Sequence, residues 1–275
     1  MRSIGHYLGG RDVPGRSGKS GPVFDPATGE QQATVDFASG AEVDDAVKVA
    51  AEAAKSWRDS SLGKRADVLF RFRQILADRR LDLARIVSSE HGKVPADAAG
   101  EVARGIENVE FAAGIPQLLK GEYSEGVSTG VDVYSLRQPL GVVAAITPFN
   151  FPAMVPLWMI SNAIACGNAV ILKPSEKDPS APLTLAKWLE EAGLPSGVLN
   201  VVNGDKVAVD RLLEHPGIAA VSFVGSTPVA RSIYQRGTTA GKRVQALGGA
   251  KNHMVVLPDA DLAAAADAAV GAAYG

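Results

Sequence analysis

The stretch Gln138–Lys177, QPLGVVAAITPFNFPAMVPLWMISNAIACGNAVILKPSEK, decides the fold. Gly141 to Thr147 is a nearly unbroken apolar run of strand length. It breaks at Pro148-Phe149-Asn150-Phe151-Pro152, where two prolines bracket one polar residue. Pro152 suits the first turn of a helix, and Ala169–Lys173 returns as a second short apolar run, so the unit reads strand, helix, strand. A rigid turn therefore presents Asn150 at the carboxyl end of a buried strand, the edge at which open α/β sheets bind ligands.

Toward the carboxyl end the alternation continues. Helix Ala181–Glu191, strand Val198–Val202, helix Lys206–Glu214, strand Ala219–Val224, helix Thr227–Arg236 and strand Val244–Leu247 follow in turn. Such an order predicts an α/β fold, a parallel sheet covered by helices on both faces. Asp261-Leu262 then opens an alanine-rich helix that reads as packed, and the sequence stops inside or just after it, as if cut short. Toward the amino end, residues 121 to 139 alternate as an antiparallel hairpin whose edge another subunit could cover. Between Ala41 and that hairpin, apolar residues recur every three or four positions, which predicts four helices ahead of any core sheet. Gly9 to Gly40 is rich in turn residues and holds one expected strand, Ala33–Phe37.

A chain of 275 residues with 46% hydrophobic content can bury a large core. A net charge of −2 without a basic block gives no electrostatic reason to expect nucleic acid or an anionic membrane as partner, which points to a small-molecule substrate. No apolar run approaches the roughly 18 residues that span a bilayer, and the first residues lack a signal-peptide core, so a cytosolic location is expected, a processed organellar form remaining open. The single cysteine, Cys166, rules out an intrachain disulfide. It sits at an expected helix end among apolar neighbours, the place of a buried structural thiol rather than a nucleophile. His6, His91, His215 and His253 show no metal-ligand spacing, so no metal site is expected.

Five ordered motifs carry a family likeness. Pro148-Phe149-Asn150-Phe151-Pro152, Lys173-Pro174-Ser175-Glu176, Gly193-Leu194-Pro195 with Gly197-Val198-Leu199-Asn200, Phe223-Val224-Gly225-Ser226-Thr227 and Leu247-Gly248-Gly249 resemble, in order and spacing, the aldehyde dehydrogenase superfamily. The likeness runs from about residue 20 to the end of the sequence. Within the superfamily, Ala246-Leu247-Gly248-Gly249-Ala250-Lys251-Asn252-His253 and Gly105-Ile106-Glu107-Asn108-Val109-Glu110-Phe111 are similar to the CoA-acylating methylmalonate-semialdehyde dehydrogenases. The resemblance implies that residues 1–120 form the first part of a cofactor-binding domain, 121–140 an oligomerisation hairpin, 141–250 an NAD-binding Rossmann-type core, and 251–275 the start of a catalytic domain. It also implies a homo-oligomer, a dimer of dimers, in the complete enzyme, whose nucleophilic cysteine would follow Gly275.

Individual residues admit two readings each. Asn150 could cap the helix near Pro152; by resemblance it donates to an oxyanion formed on an aldehyde. Lys173 and Glu176 could be a solvated surface pair. The family role has them bond the two hydroxyls of an adenosine ribose, where a carboxylate repels a 2′-phosphate and favours NAD over NADP. Thr147, Phe149 and Lys177 are implicated around the same cofactor. Gly225 and Ser226 close a strand and open a helix, either as an ordinary N-cap or as a pyrophosphate cradle at the positive end of the helix dipole. Five residues after Gly225 the glycine usual in the family is Ala230, and no G-x-G-x-x-G fingerprint occurs in this part. Arg104 is either a solvated helix arginine or the bidentate partner of a substrate carboxylate. At the position before Leu-Gly-Gly, where hydrolytic members carry a glutamate base, stands Ala246. Its absence implies that coenzyme A rather than water takes the acyl group, unless a residue outside this sequence runs deacylation. The resemblance thus implies NAD-dependent oxidation of methylmalonate or malonate semialdehyde to propanoyl-CoA or acetyl-CoA with loss of carbon dioxide, in valine, thymine or inositol breakdown. The rivals are a hydrolytic aldehyde dehydrogenase and a non-catalytic nucleotide-binding or assembly fragment.

Overall fold

The computed structural model describes residues 2–274. In chain order they form β1 Arg2–Ile4, β2 His6–Leu8, β3 Arg11–Val13, β4 Ser20–Phe24 and β5 Gln31–Asp36, then α1 Gly40–Arg58, α2 Leu62–Asp78, α3 Arg80–His91, α4 Pro95–Ala113 and the short α5 Ile115–Leu118. The hairpin β6 Tyr123–Ser128 and β7 Val131–Tyr134 leads into β8 Val142–Ile146, α6 Met154–Ala165, β9 Ala169–Lys173, α7 Ser180–Glu191 and β10 Leu199–Val201. The remainder is α8 Lys206–Glu214, β11 Ala220–Val224, α9 Thr227–Thr239, β12 Arg243–Leu247 and α10 Leu262–Tyr274.

A seven-stranded sheet in the order β12-β11-β8-β9-β10-β2-β3 forms the centre. Its strands from β12 to β10 are mutually parallel. Both faces of such strands are covered, so successive side chains along β9 enter opposite cores: Ala169 and Ile171 face α1, α8 and α9, while Val170 and Leu172 join the core of α2, α4, α6 and α7. From β8 the chain steps outward through β9 to β10, then crosses back to place β11 and β12 on the other side of β8. The gap between the carboxyl ends of β8 and β11 is therefore a topological switch point.

Two expectations change here. The helices do not precede every core strand, because β2 and β3 add antiparallel to the outer edge of β10, with Tyr7 opposite Val201. Edge backbone left open would invite foreign pairing, and side chains fix this closure. Asn200 Oδ1 accepts from Gly9 N at 3.0 Å, Asn203 Nδ2 donates to the Gly5 carbonyl at 2.6 Å, and the Tyr7 hydroxyl meets Glu190. The sheet is thus mixed rather than wholly parallel. The second change is α10, whose Leu262 and Val270 are exposed instead of packed. Alanine propensity, with Asp261 accepting from Ala263 N and Ala264 N, sustains the helix without a cover.

Separate from the main sheet, β1, β5 and β4 form a three-stranded sheet, and the β6–β7 hairpin is exposed along both strands. Gly105 of α4 lets α6 approach closely, since a Cβ there would lie 2.4 Å from Leu157 Cδ1. No helix among the described residues is long and apolar enough to cross a membrane.

Candidate functional site

At the carboxyl edge of the sheet, over the switch point, lies a cavity of about 700 Å³. Thr147, Phe149, Lys173, Glu176, Lys177, Gly225 and Ser226, distant in sequence, all line it, because β8, β9 and β11 end there side by side. The Thr147 hydroxyl oxygen is buried without a hydrogen-bond partner among the described residues. Lys173 is only 6% exposed and its ammonium lies 3.5 Å from Glu176. Burial holds the Lys173 pKa below its ordinary value, with Glu176 opposing. A buried ammonium beside a half-exposed carboxylate offers a donor and an acceptor to a vicinal diol. The Lys177 ammonium lies 4.4 Å above the Phe149 ring.

Across the cavity, the β11–α9 junction is built for close approach. At Gly225 a Cβ would meet Phe223 Cζ at 2.4 Å, so any side chain there would displace the ring. Ser226 is the N-cap residue of α9 by backbone geometry, yet its hydroxyl makes no capping bond. The amino terminus of a thirteen-residue helix thus faces the cavity without a side-chain cap, the setting that binds phosphate. Ala230 is buried in the core beneath, so its methyl points away from the cavity. A dinucleotide fits these groups: an orphaned hydroxyl, a diol-binding pair, a glycine turn and a helix terminus. The cavity also takes in Asp205, Lys206 and Arg236, which sequence reading passed over. The signal was there, since Asp205 caps α8 at the next strand-to-helix junction, accepting from Val207 N at 2.8 Å.

Asn150 is exposed at the crest of the turn leaving β8, beside the cavity rather than among its lining residues. It does not cap α6: the N-cap position is Ala153, and no side chain of that residue supplies a bond. Instead Glu101 of α4, fully buried, accepts from Ala153 N at 2.8 Å and Met154 N at 3.1 Å. Arg104, three residues further along α4, is exposed, and its guanidinium makes no ion pair among the described residues. The structure brings neither Asn150 nor Arg104 into contact with the dinucleotide-sized cavity.

Cys166 is the C-cap residue of α6, half-buried rather than fully buried as expected. Burial pushes its thiol pKa up, against the influence of Arg65. That keeps it protonated and unreactive at neutral pH. Ala246 lies on β12 opposite Phe223, partly packed on the core, and offers no acid or base.

A second cavity of about 510 Å³ adjoins the first behind Phe149 and Lys177, and Glu90, His91 and Asp178 reach it. Neither buried Asp178 carboxylate oxygen has a well-formed hydrogen bond among the described residues, and burial raises its pKa to about 8, with the nearby Glu90 adding to the rise and Ser175 opposing it.

The model of the aldehyde dehydrogenase family matches residues 13–275. Malonate-semialdehyde dehydrogenase of Pseudomonas aeruginosa is 56% identical over the whole chain, which covers 55% of that protein. Malonate-semialdehyde dehydrogenase 2 of Geobacillus kaustophilus is 50% identical, again over the whole chain and 57% of that protein. Among solved structures, a protein of Sinorhizobium meliloti 1021 described as a methylmalonate-semialdehyde dehydrogenase, complexed with NAD, superposes with a TM-score of 0.96 at 55% identity. The match covers all of this chain and 56% of that one. The chain spans about half the length of the curated relatives it matches.

Proposed function

This chain belongs to the aldehyde dehydrogenase family, and we propose that it is the dinucleotide-binding part of an NAD-dependent, CoA-acylating malonate- or methylmalonate-semialdehyde dehydrogenase. The observation that carries the reading is the single cavity at the switch point lined by Thr147, Phe149, Lys173, Glu176, Lys177, Gly225 and Ser226. In it Lys173 and Glu176 hold the adenosine ribose, and the Gly225–Ser226 junction holds the pyrophosphate. NAD, when bound, accepts the hydride released from the aldehyde carbon.

Asn150 donates its side-chain amide to the oxygen that turns negative as a thiol attacks the aldehyde. Cys166 is not that thiol, because it is kept protonated at a helix carboxyl end. A cysteine outside these residues supplies the nucleophile and carries the acyl group as a thioester. Arg104, exposed on α4 and without an ion pair among the described residues, is the group proposed to bind the substrate carboxylate. With Ala246 where a water-activating carboxylate would be needed, the thioester passes to the thiol of coenzyme A. The exposed valines and tyrosines of the β6–β7 hairpin are proposed to pair with another copy in a cytosolic homo-oligomer.

Two measurements test the reading. Titration calorimetry of the chain with NAD should show saturable binding that is weakened about tenfold by Glu176→Ala, with the preference over NADP reduced. Product analysis of the complete protein should show acyl-CoA formed in step with NADH when semialdehyde and CoA are supplied. Free carboxylate formed equally fast without CoA would establish the hydrolytic rival instead.

A further inference from the structure

We propose that Lys93 and Glu101 are positioning residues for Asn150, an ion pair that clamps the turn between β8 and α6 at both ends. The inference rests on the reading of Asn150 as oxyanion donor. Glu101 lies on the buried face of α4, and Lys93 lies in the loop ahead of that helix. Their charged atoms are 2.5 Å apart, with the Lys93 side chain 15% exposed and Glu101 wholly buried. Each partner spends its other bonding capacity on the same short turn. Lys93 Nζ donates to the Asn150 carbonyl at 2.7 Å and sits 3.9 Å from the Phe151 ring centroid. Glu101 Oε1 accepts from Ala153 N and Met154 N. One buried pair thus holds Asn150, Phe151, Ala153 and Met154 together.

Such a pair has little value as mere stability, since an apolar pair of the same volume commonly serves a core as well or better. What it supplies is geometry. The Asn150 amide makes no internal hydrogen bond among the described residues, so the protein positions it only through the backbone that carries its Cβ. An oxyanion donor works by being already oriented, and a displacement of about 1 Å can cost about 10²-fold in rate. The clamp fixes the backbone on both sides of that donor while leaving the amide free for the ligand.

The test is a double-mutant cycle in the complete protein. Lys93→Met should lower kcat about tenfold or more while KM changes less than about threefold. Lys93→Arg, which keeps the charge, should recover most of the rate. Glu101→Gln, which keeps an acceptor for the two N–H groups, should show a smaller loss than Lys93→Met. The Lys93→Met, Asn150→Ala double variant should be no slower than Asn150→Ala alone. A Lys93→Met enzyme within about twofold of wild type, or losses that multiply in the double variant, would overturn the proposal. Independently of turnover, backbone amide relaxation of Asn150 and Phe151 by NMR in the complete protein should show an ordered turn that becomes mobile in Lys93→Met. An unchanged order would also overturn it. Wild-type turnover in Asn150→Ala would remove the donor reading itself, and with it the clamp's part in catalysis.

Discussion

Two junctions of the same topology flank the cleft and use their helices in opposite ways. At β8–α6 the helix amino terminus is already satisfied from within, because Glu101 takes two of its N–H groups. At β11–α9 the cap residue Ser226 leaves its hydroxyl unused, and no side chain caps the helix. The first junction is closed to anions and rigid, which suits the presentation of one side chain at its crest. The second is open, which suits a phosphate. Equivalent strand-to-helix turns are therefore not interchangeable sites: what decides is whether a remote carboxylate has occupied the terminus.

Substitutions can break that contrast. Glu101→Leu should have the largest effect, destabilising the chain by about 3–5 kcal/mol in denaturant unfolding, since it strands Lys93 and two buried N–H groups together. Asn150→Ala should leave stability and NAD binding unchanged but lower kcat of the complete protein about 10²- to 10³-fold, measured under substrate saturation. Asp178 sharpens the comparison as a buried carboxylate with no ion-pair partner among the described residues. Its folded pKa, near 8, lies above the ordinary carboxylate value, so the folded state holds the extra proton. Its contribution is then full at low pH and lost as pH rises from about 4 toward 8. Asp178→Asn should accordingly raise stability by about 1–3 kcal/mol at pH 8 and by much less at pH 5, as followed by melting at both values. Ser226→Ala should be mildest, weakening NAD by about 0.5–1.5 kcal/mol in calorimetry with no change in melting temperature, since the hydroxyl caps nothing.

Sequence reading reached what local pattern controls. The parallel strands β8, β9 and β11 are short apolar runs bounded by glycine and proline, and the cavity residues sit where those runs end, so both were legible together. It missed what depends on distant pairing. Glu101 acts on residues 52 and 53 positions away, and a charged residue on a helix reads as solvated. The one clue was its place among Ala98, Val102 and Gly105 on the apolar stripe of α4. The attachment of β2 to β10 was equally hidden, because strands of three residues carry no periodicity of their own. For Asn150 the local signal pointed to a cap, and the structure assigns the capping to another helix.

The attachment of β2 to β10 bears on how this polypeptide comes off the ribosome. Tyr7 is made nearly two hundred positions ahead of its partner Val201. The outer edge of β10 therefore cannot be closed by β2 until α1 through α7 and β8 through β10 have been made, and closing so long a loop is slow. Docking of this ribbon should therefore be a late event in folding, after the layers around β8 and β9 have assembled.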